Sequence, residues 1–255
     1  MPRGSLADME TGKASTETLQ YAPGRWADLY RAHPPGGDAQ PPVLIWHGKQ
    51  TDARATVTAL AQKVAGRGFA VVAPDWNSDA PDGGRSDLLE SVRFTRRRYG
   101  SDELLLVGWS LGGAAAAGLT LTAAEHAAEH YVRPVATVCL AGAFMVPDPI
   151  TGRPPNRLPG LLRDGGHRTP FLLLHGAADD VVPIAASRDF AEILRSHGWP
   201  AEVAELDTDH AAIAGAGYDP AADRYLPGTD ARTHAVADEV AAHIAAMAGR
   251  PTDRG

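Results

Sequence analysis

The chain has one cysteine, Cys139, so no disulfide can form within it, and a lone thiol suits a reducing compartment, here read as the cytoplasm. Long apolar runs are missing as well. The longest near-apolar stretch, residues 111–124, is rich in small side chains and falls short of the ~20 residues that span a bilayer. Residues 1–20 carry no apolar block after Arg3, which argues against a secretory signal. Basic residues are outnumbered, 24 to 31, and a net charge of −7 disfavours nucleic acid as the main partner. There is no His-Glu-x-x-His and no Cys/His cluster, so no metal is expected. No Gly-x-Gly-x-x-Gly follows a strand-like run, so no dinucleotide is expected either.

What is present is ordinary for a globular protein rich in turns: 255 residues, 44% hydrophobic and 22% charged, with 27 glycines and 20 prolines. Residues 1–15 lack periodicity and read as a disordered tail. Two weak strand signals at 16–21 and 26–32 flank Pro23-Gly24 and suggest a hairpin. Short apolar runs then recur at 43–46, 69–73, 104–107, 135–140, 171–174 and 203–206. Between them lie stretches of helical spacing at 53–65, 86–98, 111–129, 184–196 and 232–248. Fully apolar strands alternating with amphipathic helices predict an α/β fold with a mostly parallel central sheet, helices on both faces and an antiparallel start. The alternation is unbroken, which reads as one domain over 16–250. Residues 143–169 hold five prolines and form a long irregular loop, a minimal cap, and 215–230 is a second irregular stretch. Arg93, Arg96, Arg97 and Arg98 make one helix locally basic, which reads as a solvated face.

The most informative segment is Leu104-Leu105-Leu106-Val107-Gly108-Trp109-Ser110-Leu111-Gly112-Gly113. It reads strand, tight turn, helix, with Ser110 on the turn. Glycine is needed on either side because the turn that lifts the serine hydroxyl above the sheet crowds neighbouring backbone. The helix starting behind Ser110 turns its N-terminal N–H groups toward any negative charge that develops there.

On this motif and its setting the sequence resembles the α/β-hydrolase fold family, over nearly the whole chain from about Thr16 to Ala248. It is similar in particular to small, lid-poor serine esterases and dienelactone-hydrolase-like proteins. The dienelactone type carries a cysteine nucleophile, and this chain has Ser110, which shifts the expectation to serine esterase chemistry.

A serine hydroxyl needs a base, and the base needs an orienting acid. In the family these follow in the order nucleophile, acid, histidine. The segment His175-Gly176-Ala177-Ala178-Asp179-Asp180-Val181-Val182-Pro183 matches the family's His-Gly-x-x-Asp-x-x-Val-Pro pattern, which assigns the acid to Asp179, with Asp180 as the alternative. His210 follows the last strand-like run directly and is the expected base, with His234, at the start of the last helix, as its rival. His47 and His175 precede glycines at strand ends, where the resemblance implies structural roles. The oxyanion donors implied are the N–H of Leu111 and the N–H of Lys49, in the loop His47-Gly48-Lys49-Gln50.

Trp76, Trp109, Phe144 and Met145 fall near carboxyl ends of strands, where open α/β sheets bind ligands, and are candidates for an apolar substrate pocket. Core packing is the equal alternative for Trp109. Gln50 could contact substrate, and Tyr218 is a weaker candidate. The whole predicts a serine hydrolase that cleaves a carboxylic ester or thioester through an acyl-enzyme, without cofactor. The expected partner is a small-molecule acyl substrate, with no membrane and no nucleic acid, and the chain is expected as a monomer or homodimer. The same machinery could serve an acyltransferase, a thioesterase or a biosynthetic cyclase, and a catalytically silent binding protein is the reading of another class.

Overall fold

The computed structural model of the chain describes residues 15–31, 40–126, 131–158 and 168–249. The expected tail, apart from Ser15, lies outside the described residues, as does part of the 143–169 loop. The strands are β1 (Thr16–Ala22), β2 (Arg25–Tyr30), β3 (Val43–Trp46), β4 (Val71–Pro74), β5 (Glu103–Trp109), β6 (Arg133–Leu140), β7 (Phe171–Gly176), β8 (Ala201–Leu206), β9 (Ala216–Asp219) and β10 (Arg224–Pro227). The helices are α1 (Thr58–Ala65), α2 (Arg85–Tyr99), α3 (Leu111–Leu121), α4 (Ala185–Ser196) and α5 (Ala231–Ala248).

Eight strands form one sheet in the order β1-β2-β4-β3-β5-β6-β7-β8. The first two pairings, β1 with β2 and β2 with β4, are antiparallel, and all the others are parallel. Strand alternation explains why the inner runs are apolar throughout. Val43 and Ile45 of β3, and Leu105, Val107 and Trp109 of β5, join one buried cluster with α1 and α5. Leu44, Trp46, Leu104 and Leu106 point the other way, into a cluster with α2 and α3. A third cluster, built on Cys139, Phe171, Leu173 and Phe190, closes the sheet under α4. Cys139 is fully buried, and that burial pushes its thiol pKa well above the ordinary value.

Three expectations need correction. The helix expected over 111–129 stops at Leu121, where the Thr122 hydroxyl turns back onto the Gly118 carbonyl at 2.8 Å, and one 3-10 turn, Ala123–Glu125, follows. The helix expected from 53 starts as a 3-10 turn, Arg54–Val57, before α1. The stretch 215–230 is largely regular: β9 and β10 pair as an antiparallel hairpin with Tyr218 opposite Tyr225. On the basic helix, Arg93 pairs with Glu90, and Arg96 with Asp102 at its C-terminal end. Among the described residues no helix is long and apolar enough to cross a membrane.

Candidate active site

Parallel strands bring their carboxyl ends to one edge, and the chain-order candidates meet there. Ser110 follows β5, Asp179 follows β7, His210 follows β8 and the 47–50 loop follows β3. Ser110 has φ 54° and ψ −117°, a strained conformation for a residue with a side chain. Its N–H donates to the Leu140 carbonyl at 2.9 Å, and its own carbonyl accepts from Ala114 and Ala143, so neighbouring backbone holds the strain. The two flanking glycines are steric necessities. A Cβ on Gly108 would run into the Gly112 carbonyl, and one on Gly112 into the carbonyls of Trp46 and His47.

Asp179 and His210 are joined by a 2.7 Å contact between Oδ2 and Nδ1. A carboxylate only accepts, so Nδ1 carries the proton and Nε2 is left with its lone pair. The other carboxylate oxygen, Oδ1, accepts the N–H groups of Val181 and Val182 at 2.9 and 2.8 Å. Burial alone would raise the Asp179 pKa, but the bonds from His210, Val182 and Val181 outweigh it and hold the carboxyl below its usual value. Asp180 is exposed, and His234 sits in the first turn of α5, so the pair in contact is Asp179 with His210.

The histidine loop is fixed by a residue that the motif search passed over. Asp209 Oδ1 accepts from the N–H groups of Ala211 and Ala212 at 2.9 and 2.8 Å, a local turn that sequence pattern does not distinguish from a solvated acid. Trp109 Nε1 donates to the His210 carbonyl at 2.8 Å, and the two rings lie 5.5 Å apart. His175 is fully buried, with Nδ1 on the Ser187 hydroxyl and Nε2 on the Val182 carbonyl, both at 2.8 Å. It thus braces the segment that presents Asp179, whose Oδ2 is 3.4 Å from its Nε2.

His47 sets the opposite wall. Its Nε2 accepts N–H bonds from Ala53 and Trp76, so Nδ1 bears the proton and donates to the Gly48 carbonyl at 2.8 Å. In a trans peptide the C=O and the following N–H point opposite ways. Pulling the Gly48 oxygen toward the His47 ring therefore turns the Lys49 N–H away from that ring. Burial drives the His47 pKa down to about 3, which keeps it neutral. Gln50 is committed to the fold: its Nε2 donates to the Tyr225 carbonyl at 3.1 Å, and its Oε1 accepts the Tyr225 N–H at 2.9 Å. Both polar atoms of the Gln50 side chain, a candidate for substrate contact, are taken up by this clamp on β10.

Three of the aromatic pocket candidates pack inside the protein, which for Trp109 is one of its two expected alternatives. Trp76, Trp109 and Phe144 are at most 1% exposed. Trp76 stacks on His47, Phe144 stacks on Phe190, and Trp109 packs under His210. Other residues of the segments that follow β4 and β6 face outward. A cleft of about 280 Å³ runs beside Leu111, lined by Ser78 and Asp82 after β4 and by Pro147, Pro149 and Gly152 after β6. Met145 is exposed. Among the described residues no group of three His, Cys, Asp or Glu side chains could hold a metal ion.

The sheet and its helices have counterparts among solved structures. The chain is similar to Thermogutta terrifontis esterase 2 phosphoramylated by tabun, with 16% identity, a TM-score of 0.66, and 96% of this chain and 98% of that one covered. It is also similar to a truncated carbohydrate esterase from gut microbiota (14% identity, TM-score 0.65, covering 94% and 99%). A third likeness is to TT1662 from Thermus thermophilus (20% identity, TM-score 0.60, covering 93% and 99%). At these identities the likeness establishes the fold, which is the α/β-hydrolase fold. No curated protein matches the chain in sequence. The profile of one family matches residues 72–212, more than half of the chain and a span running from β4 past His210, and by that match the chain belongs to the serine hydrolase (FSH1) family.

Proposed function

We propose that the chain hydrolyses a carboxylic ester or thioester through an acyl-enzyme, with Ser110 as nucleophile, His210 as general base and Asp179 as orienting acid. The observation that carries this reading is the 2.7 Å Asp179–His210 bond, which leaves the His210 Nε2 lone pair free at the sheet edge where Ser110 is held on its strained turn. His210 takes the Ser110 proton as the oxygen attacks the carbonyl carbon, and the N–H groups of Leu111 and Lys49 hold the oxyanion. The imidazolium then gives its proton to the leaving group. Water, deprotonated in turn by His210, releases the acid. The partner is a small-molecule acyl compound, and no cofactor enters the scheme. In this scheme Asp179 remains a carboxylate, as its lowered pKa favours.

Ser110→Ala tests the scheme. The variant is expected to keep the wild-type circular dichroism spectrum and melting temperature, lose fluorophosphonate labelling, and lose roughly three or more orders of magnitude in kcat on an activated ester. Retention of a tenth of the wild-type rate would remove Ser110 from the mechanism.

A further inference from the structure

We propose that Tyr218 and Tyr225 form the subsite for the leaving alcohol, and that this alcohol is a planar aryl alcohol without negative charge. The inference rests on the ester-hydrolase reading above and adds to it a substrate class.

The argument starts from where the two halves of an ester must lie. His210 protonates the leaving oxygen, so the leaving group sits on the His210 side of Ser110. The acyl chain leaves the carbonyl carbon on the side away from the leaving group, which puts it nearer the cleft beside Leu111. These two regions lie on opposite faces of the sheet. The cleft is lined by segments that pack toward α2 and α3, whereas Trp109 turns into the cluster of α1 and α5 and meets the β9–β10 hairpin there.

On the His210 side the surroundings are aromatic. The Tyr225 ring is 6.1 Å from the His210 ring and 4.8 Å, edge-on, from Trp109. Tyr218, its cross-strand partner, lies 5.3 Å further out and is 51% exposed. Val181, two residues after Asp179, is 56% exposed. An exposed tyrosine ring ordinarily moves between rotamers, but this one is held. Its hydroxyl donates to Asp223 Oδ1 at 2.6 Å, and the Tyr225 peptide opposite is clamped at both ends by Gln50. A flat apolar surface is thus fixed in advance, continuous with the base, and open where a further ring would extend the series at the 4.5–7 Å spacing that aromatic pairs favour. Asp223 accepts from the Tyr218 hydroxyl, Asp219 ends β9, and Asp180 and Asp209 follow β7 and β8 beside Asp179 and His210, with Arg224 as the cation of the hairpin strands, so a negatively charged leaving group is disfavoured.

The test compares phenyl acetate with butyl acetate on the wild type, Tyr218→Ala and Tyr218→Phe. Tyr218 is exposed and makes no contact with the reacting groups, and melting temperature checks that the variants fold. Tyr218→Ala is expected to lower kcat/KM for phenyl acetate roughly 2- to 10-fold, the range that aromatic pairing supplies. It should leave butyl acetate within about twofold, since an interaction confined to the ring is lost. Tyr218→Phe keeps the ring and loses only its anchor on Asp223, so its aryl preference should fall between those of the wild type and Tyr218→Ala. Equal losses on both esters, or no loss on the aryl ester, would overturn the subsite and leave the hydrolase reading standing. A wild-type chain that cleaves neither ester overturns both.

Discussion

Backbone geometry on the scale of one residue decides what the side chains of this site can do. Ser110 is held at positive φ by its neighbours' hydrogen bonds, an arrangement that costs roughly 1–3 kcal/mol and would relax were the surrounding structure loose. Trp109, one step earlier, spends its only polar atom on the His210 carbonyl. Replacing it with phenylalanine keeps an aromatic ring in the core and deletes that donor. We expect Trp109→Phe to lower kcat roughly 3- to 10-fold, as befits one neutral hydrogen bond of about 1 kcal/mol, with KM nearly unchanged. Steady-state kinetics on one activated ester check this, and an unchanged kcat would make the contact merely structural.

The nucleophile turn was legible in the sequence because only glycine fits at 108 and 112, a constraint that no other reading of those residues supplies. The adjacent pair Asp179-Asp180 was not separable by spacing from the residues alone. The distinction comes from two backbone N–H groups, those of Val181 and Val182, that converge on one of the two side chains. Trp76 and Phe144, expected to face a pocket, are buried. Which way a loop side chain turns depends on partners far along the chain, His47 for the first and Phe190 for the second.

At the scale of elements, the hairpin β9–β10 is the piece that pattern reasoning missed. Its strands have four residues each, include Gly217 and Pro227, and lack the apolar alternation that marks a half-buried strand. Its attachment explains its order: Gln50 behaves toward Tyr225 as a neighbouring strand residue would, one donor and one acceptor facing a peptide. The loop that carries Lys49 and the hairpin that flanks His210 are therefore one mechanical unit. Gln50→Ala is expected to lower kcat about 10-fold or more, as the loss of two part-buried hydrogen bonds implies. Gln50→Glu keeps the acceptor, faces the Tyr225 carbonyl with a second oxygen, and should do no better. Hydrogen exchange of the Tyr225 amide provides the independent readout, and protection unchanged in Gln50→Ala would sink the clamp.

Across the whole molecule, the sheet order and helix sides follow from apolar runs that strand alternation divides between two faces, which is why the fold class could be read early. What the runs do not encode is how stability depends on acidity. His47 is neutral in the native protein, its pKa driven from 6.5 to about 3 by burial. The unfolded chain takes up that proton as pH falls through 6.5 and the native one does not, so stability declines with pH between those two values. At roughly 1.4 kcal/mol per unit the full span amounts to several kcal/mol. Denaturant melts at stepped pH should show that decline in the wild type and a shallower one in His47→Asn. Equal slopes would mean that His47 is not the group responsible.

The solitary cysteine has a further use that follows from its place on β6, an inner strand of the sheet. Cys139 is fully buried, its sulfur 3.4 Å from the Gly113 carbonyl, and its thiol resists ionisation. A maleimide added to the folded chain therefore finds nothing to alkylate until the central strands part. The rate of capture then times the opening of that sheet in a native population, with no engineered probe and no second thiol to confuse the signal.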